Sequence, residues 1–190
     1  MALLSCDPLP LRRLPPSKIN EKMANQPHLT NLPEKKTHWA WTIGTFVGAG
    51  HLKPGPGTYG SVAALVLWYG AAHLLHPNLF ILTACTLIAA LVVTMIGVPA
   101  ATIVARESGR KDPGHVVIDE VAGQLFALIG LPATPAFAVL GLVLFRFFDI
   151  LKPWPIRRLE QLPEGTGIML DDVAAGLLAF AVAQLVLHLR

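Results

Sequence analysis

The chain has 190 residues, enough for one domain with a full core and too few to suggest two. Hydrophobic residues make up 53% and charged residues only 14%, with a mean hydropathy of +0.55. An ordinary soluble domain carries roughly 25% charged residues, so this composition points to an integral membrane protein. The net charge of +3 comes without a basic face interleaved with aromatics, which argues against nucleic acid as a partner.

Residues 1–38 hold six basic groups and three acidic ones, with six prolines and no sustained periodicity. This segment is expected to be a disordered basic tail held on the cytoplasmic side, and residues 39–190 to form the membrane domain. Cys6 and Cys85 give no disulfide framework. A glycine-rich stretch, "GTFVGAGHLKPGPGTYGS", then leads into 45 residues without a charge, Ser61 to Ala105. A membrane helix needs about 20 residues, so this run suits two helices turning at "HPN", with Asn78 capping the second.

A polar connector, "RESGRKDPGHVVIDE", precedes a second uncharged run from Val121 to Phe145, interrupted at "GLPATP". Two readings stay open. The segment turns back at those prolines and is re-entrant, or one straight 28-residue helix carries Asp149 to the far face. A connector from Arg146 to Asp172 and a final uncharged segment, Val173 to Leu189, complete the chain. The expected fold is all-α: a compact multi-helix membrane bundle of about four hydrophobic segments. With the turn-back, Arg106, Arg110 and Lys111 in one connector and Lys152, Arg157 and Arg158 in the other share one side with the basic tail, as the positive-inside rule requires.

The same reading gathers five carboxylates at one level: Asp119 and Glu120, Asp149, Asp171 and Asp172. Acids crowded at an apolar boundary repel one another and take up protons unless a cation offsets them. An oxygen-only donor set suits Mg²⁺. The plain alternative is helix capping by each doublet, with the acid favoured at the positive end of the helix dipole. In "FRFFDILKPWPIRRLE", Arg146, Asp149 and Lys152 recur every three residues and would share a helix face. One role for them is an interfacial ion-pair row; another places Asp149 on the metal with Arg146 and Lys152 on phosphate oxygens. "KPGPGTYGS" opens a helix whose free N–H groups favour an anion, with Lys53, Gly57, Thr58 and Ser61 as candidate phosphate contacts. It lacks the Gly-Lys-Ser/Thr ending of a Walker A loop.

Together, "LKPGPGTYGS", "VVIDEVAGQ", "FRFFDILKPWPIRRLE" and "GIMLDDVAAGL", in this order, resemble the phosphatidylglycerophosphatase A family over about residues 41–189. The resemblance implies Mg²⁺-dependent hydrolysis of the phospholipid phosphatidylglycerophosphate to phosphatidylglycerol and phosphate. It also implies a location in the bacterial inner membrane with the site facing the cytoplasm. The family's acidic positions correspond to Asp119, Glu120, Asp149, Asp171 and Asp172. The rival reading is a transporter using the same carboxylates as a cation or proton site, with "GLPATP" as a broken helix. Acids at segment ends rather than midspan fit it less well.

Overall fold

The structure, a computed structural model, describes residues 36–154, 156–159 and 161–189. The expected tail falls outside the described residues up to residue 35. Its last residues are joined to the fold. Glu107 accepts hydrogen bonds from the Thr37 backbone N–H (3.0 Å), the Thr37 hydroxyl (2.5 Å) and Trp41 Nε1 (2.6 Å), and Lys36 lies 4.1 Å over the Trp41 ring.

The described residues are helical and contain no strand. The helices are α1 (His38–Gly44), α2 (Pro56–Leu75), α3 (Leu79–Ser108), α4 (Ile118–Ala127), α5 (Pro135–Leu151), α6 (Ile156–Leu159) and α7 (Glu164–His188). Pro56 stands at the first position of α2, where its missing N–H costs nothing. The helix buries a stripe of Gly57, Gly60, Ser61, Ala64, Trp68 and Ala72 at helical spacing. Asn78 accepts a hydrogen bond from Ile81 N at 2.9 Å, so the expected cap at "HPN" forms. α2 therefore turns into α3.

Three helices, α2, α3 and α7, are long and apolar enough to cross a membrane. Their outward faces carry large apolar side chains such as Leu67, Ile88, Met95 and Leu185, each at least 60% exposed. Exposure on that scale is costly in water and suits contact with lipid.

The fourth hydrophobic segment is two helices joined by a turn. α4 has 10 residues, about 15 Å of helix, and is followed by Gly130 with φ 73°. α5 then starts at Pro135, and Thr134 accepts from Phe137 N at 3.5 Å. The tip of this hairpin is held by α7, where Gln184 Nε2 donates to the Ile129 carbonyl at 2.9 Å. Gln184 lies twelve residues beyond Asp172, about 18 Å along the helix axis. The segment thus dips in beside α7 and returns, putting Asp119 and Asp149 at the same end. Of the two readings left open by the sequence, this is the turn-back.

α4 and α7 meet through glycines. A Cβ at Gly176 would stand 3.0 Å from Gly123 Cα, and one at Gly123 would stand 2.6 Å from the Asp172 carbonyl oxygen. Small residues at a crossing let two backbones approach closely in a membrane. That approach brings the acids of α4 and α7 within reach of one another.

Two expected boundaries move. α2 begins at Pro56 rather than near residue 61. The last helix begins at Glu164 rather than near residue 173, so Asp171 and Asp172 lie two turns inside α7 and cap nothing. Both are buried, at 4% and 3% exposure. On α4 the cap position is Val117, with no side-chain cap; Asp119 and Glu120 lie in the first turn.

Candidate active site

Five helix ends converge on the site. α4 supplies Asp119 and Glu120, α7 supplies Asp171 and Asp172, and the end of α5 supplies Arg146 and Asp149, with Lys152 just beyond it. The start of α2 and the end of α3 close the sides. There the Arg106 guanidinium donates to both Glu164 carboxylate oxygens, at 2.8 and 2.7 Å. All five acids and Lys152 line one cleft of about 500 Å³.

Within the cleft the acids fall into two sets. Asp119, Glu120 and Asp172 each place a carboxylate oxygen within 4.8 Å of the others. Asp149 and Asp171 are instead engaged with cations. Arg146 Nη1 stands 2.6 Å from Asp149 Oδ2, close enough to pair but without hydrogen-bond alignment. Lys152 Nζ donates to Asp171 Oδ2 at 2.6 Å. Lys152 is not on the α5 face with Arg146 and Asp149. It terminates the helix in a left-handed conformation (φ 41°, ψ 63°), and this turn sends its side chain to α7.

Asp119 Oδ1 and Glu120 Oε2 are buried and meet no hydrogen-bond donor. Burial, and then the charge of Glu120, push the Asp119 carboxyl well above the ordinary carboxylate range. Burial also raises Glu120, with Asp149 adding to it. Carboxylate oxygens with no donor, grouped from three side chains, match the hard oxygen donor set that Mg²⁺ takes. The residues present fit that ion.

The residues expected to meet phosphate are placed unequally. Arg146 keeps buried Nε and Nη1 without hydrogen-bond acceptors. Gly57 is buried directly against the site: a Cβ there would stand 2.8 Å from Glu120 Cδ and 3.3 Å from Arg146 Nη1. Ser61 is fully buried, and its hydroxyl donates within α2 to the Gly57 carbonyl at 3.0 Å. Thr58 and Lys53 are exposed and do not line the cleft. His115 stacks on Trp41 with ring centroids 4.9 Å apart and on His51 at 5.9 Å.

Sequence reasoning overlooked three residues. Lys111 and Arg157 line the cleft and add positive charge around the acids. Their only signal was membership in polar connectors. Gln124, one turn after Glu120 on α4, is fully buried with neither amide atom paired.

The family model described as phosphatidylglycerophosphatase A matches residues 42–187. The chain belongs to the phosphatidylglycerophosphatase A family. The matched stretch contains every acid of the cleft together with Arg146 and Lys152. Among curated relatives, a Haemophilus influenzae protein named "Phosphatidylglycerophosphatase A" is 36% identical over 137 residues, covering 71% of this chain and 80% of its own. An Escherichia coli protein of the same name is 34% identical over 138 residues, covering 70% and 74%. A Bacteroides thetaiotaomicron protein named "Putative phosphatidylinositol-3-phosphatase" is 34% identical over 151 residues, covering 76% and 93%. No solved structure matches the chain.

Proposed function

We propose that the protein is a Mg²⁺-dependent lipid phosphatase that converts phosphatidylglycerophosphate to phosphatidylglycerol and phosphate. The observation that carries this reading is the group formed by Asp119, Glu120 and Asp172, with two buried oxygens lacking any donor and cations beside them. These three side chains would hold the Mg²⁺. When bound, the ion supplies Lewis-acid polarisation of the phosphoryl group and offsets its charge.

The protein's own groups supply the rest. Arg146 and Lys152 bind the non-bridging phosphate oxygens, whose charge must be balanced as the phosphoryl group transfers. Asp149 orients the Arg146 guanidinium, and Asp171 aims Lys152 into the cleft. Holding the monoester in one pose removes much of the entropic cost of reaction. In the net reaction the bond from phosphorus to the glycerol oxygen breaks. Water supplies the oxygen that phosphate gains and the proton that the alcohol gains.

The cleft opens where α2 and α7 begin, so a headgroup can enter while the acyl chains stay among the helices. Arg106, Arg110, Lys111, Arg157 and Arg158 flank this end, which supports a cytoplasmic orientation in a bacterial inner membrane. The relatives are named for two lipid phosphomonoesters, so headgroup preference needs a direct comparison. Phosphate release from phosphatidylglycerophosphate and from phosphatidylinositol 3-phosphate, each in detergent with Mg²⁺ or with chelator, tests the reading. Faster Mg²⁺-dependent release from the first substrate supports it. Release from the second alone would overturn the substrate assignment.

A further inference from the structure

A second cavity, of about 550 Å³, lies between α2 and α3 and reaches α4. No charged residue lines it. Its walls include Trp68 and Ala71 of α2, Leu82 and Cys85 of α3, and Val121 and Leu125 of α4. Trp68 Nε1 donates to Thr86 Oγ1 at 2.8 Å, and that hydroxyl donates to the Leu82 carbonyl at 2.7 Å. The Trp68 and Thr86 donors are therefore satisfied within the helices, and the surface of the groove is largely apolar.

Its dimensions restrict the occupant. Along α2 the walls run from Ala64 to Leu75, eleven residues or about 16 Å. That is close to one leaflet, half of a hydrocarbon core of about 30 Å. A single extended hydrocarbon chain matches this length, and the uncharged lining matches its chemistry.

Its position ties it to the carboxylate cleft. Ala64 lies seven residues beyond Gly57, whose backbone abuts Glu120, so along α2 the groove starts about 10 Å past the acids. α4 is common to both: Asp119 and Glu120 line the cleft, and Val121, the next residue, and Leu125 line the groove. A headgroup and glycerol span the interval between phosphate and hydrocarbon.

We propose that this groove seats one acyl chain of the phosphomonoester lipid whose phosphate lies at the carboxylate cleft, an assignment that rests on the lipid-phosphatase reading. Recognition then has two parts, a phosphate held by charge and a chain held by shape.

The test uses the full-length wild-type protein in vesicles with two photoactivatable lipids. Both carry the same diazirine acyl chain; one has the phosphatidylglycerophosphate headgroup and the other phosphocholine. The expected result is labelling between Trp68 and Ala72 and between Leu82 and Ala89 by the phosphomonoester lipid. Unlabelled phosphomonoester lipid should suppress it. Equal labelling by the choline lipid would mean bulk lipid fills the groove and would overturn the proposal, as would labelling confined to outward residues such as Leu91 and Met95. Phosphate release measured in the same sample keeps the two readings apart. Turnover without selective labelling removes the groove alone, and selective labelling without turnover removes the phosphatase reading alone. Ala71→Trp, which narrows the groove, should lower the ratio of kcat/KM for long-chain over four-carbon-chain substrate at least tenfold. Leu91→Trp on the outward face of α3 should leave that ratio unchanged. An unaltered ratio in folded Ala71→Trp protein would also overturn the proposal.

Discussion

Gly57→Ala separates the site's geometry from the stability of the fold. A Cβ at this position would stand 2.8 Å from Glu120 Cδ and nearer still to its Oε1, with Arg146 Nη1 at 3.3 Å. Ordinary contacts to a Cβ begin at about 3.4 Å, so the Glu120 carboxylate must retreat by about 1 Å. The obstacle is the end of a flexible side chain, which makes the move cheap for folding. Replacing glycine by alanine where the backbone is compatible also stabilises, by up to about 1 kcal/mol, because the unfolded chain has less freedom to lose. The thermal midpoint should therefore hold or rise; 1 kcal/mol corresponds to about 2–4 °C for a chain of this size. Activity should not hold. A misplacement of about 1 Å in a reacting constellation can cost about 100-fold, and Glu120 is one of three side chains assigned to the metal. The assay is kcat/KM for phosphate release across a Mg²⁺ series, beside thermal unfolding of the same preparation. The expected result is a fall of about 100-fold, a higher Mg²⁺ requirement and an undiminished midpoint. Near wild-type turnover with an unchanged Mg²⁺ requirement would refute the role given to the position of Glu120.

Asp119→Asn and Glu120→Gln should differ in severity, because neighbouring helical residues point about 100° apart and cannot face one ion equally. The milder variant should recover in part at high Mg²⁺, and two mild variants with unchanged Mg²⁺ dependence would contradict the metal assignment. His115 gives a pH effect away from the acids. Burial, and then His51, lower its pKa below the ordinary 6.5, with Lys36 and Arg110 acting in the same direction. The stability it contributes is present above about pH 6.5 and is lost as pH falls through the lowered folded value. Between about pH 7.5 and about pH 5 the thermal midpoint should accordingly drop less in His115→Gln than in wild type, and equal drops would count against the buried stack as the cause. For orientation, single cysteines replacing Arg110 and Gln161 in a cysteine-free background should both react only from the cytoplasmic side. Labelling from opposite sides would exclude a shared site at one face.

The sequence made the helical class, the α2–α3 hairpin and the Asn78 cap readable, because each depends on local chemistry: an uncharged run of span length and a side chain that satisfies its own helix end. The two starts it misplaced have a common cause. "PGTYGS" and "EGTGIMLDD" are rich in glycine and polar residues and so read as loops, yet both are helical. There glycine serves close packing: Gly57 against Glu120, and Gly165 against α3, where a Cβ would stand 2.5 Å from Thr102 N. The acids were visible as a set, but their division was not. Only the fold brings Lys152, nineteen residues before Asp171, onto that carboxylate. The grouping of Asp172 with Asp119 and Glu120 depends equally on the glycine-mediated approach of α7 to α4. The three-way anchoring of Thr37 and Trp41 by Glu107, some 70 residues away, left no local pattern to read.

The most direct test of a three-carboxylate metal site is phosphate release by wild type and Asp172→Asn across a Mg²⁺ titration, with thermal unfolding of both proteins in chelator. Asp172 is buried beside like charges, with Asp149, Glu120 and Asp171 as its charged neighbours. Removing its charge relieves repulsion in the metal-free protein. Asp172→Asn should therefore unfold no earlier than wild type in chelator. Its turnover should nevertheless fall by more than the roughly 10- to 100-fold typical of losing a residue that only supports a metal ligand. Wild type should be inactive in chelator and recover with Mg²⁺. Wild-type turnover that persists without a divalent cation, or Asp172→Asn turnover that matches wild type at every Mg²⁺ concentration, would contradict the account.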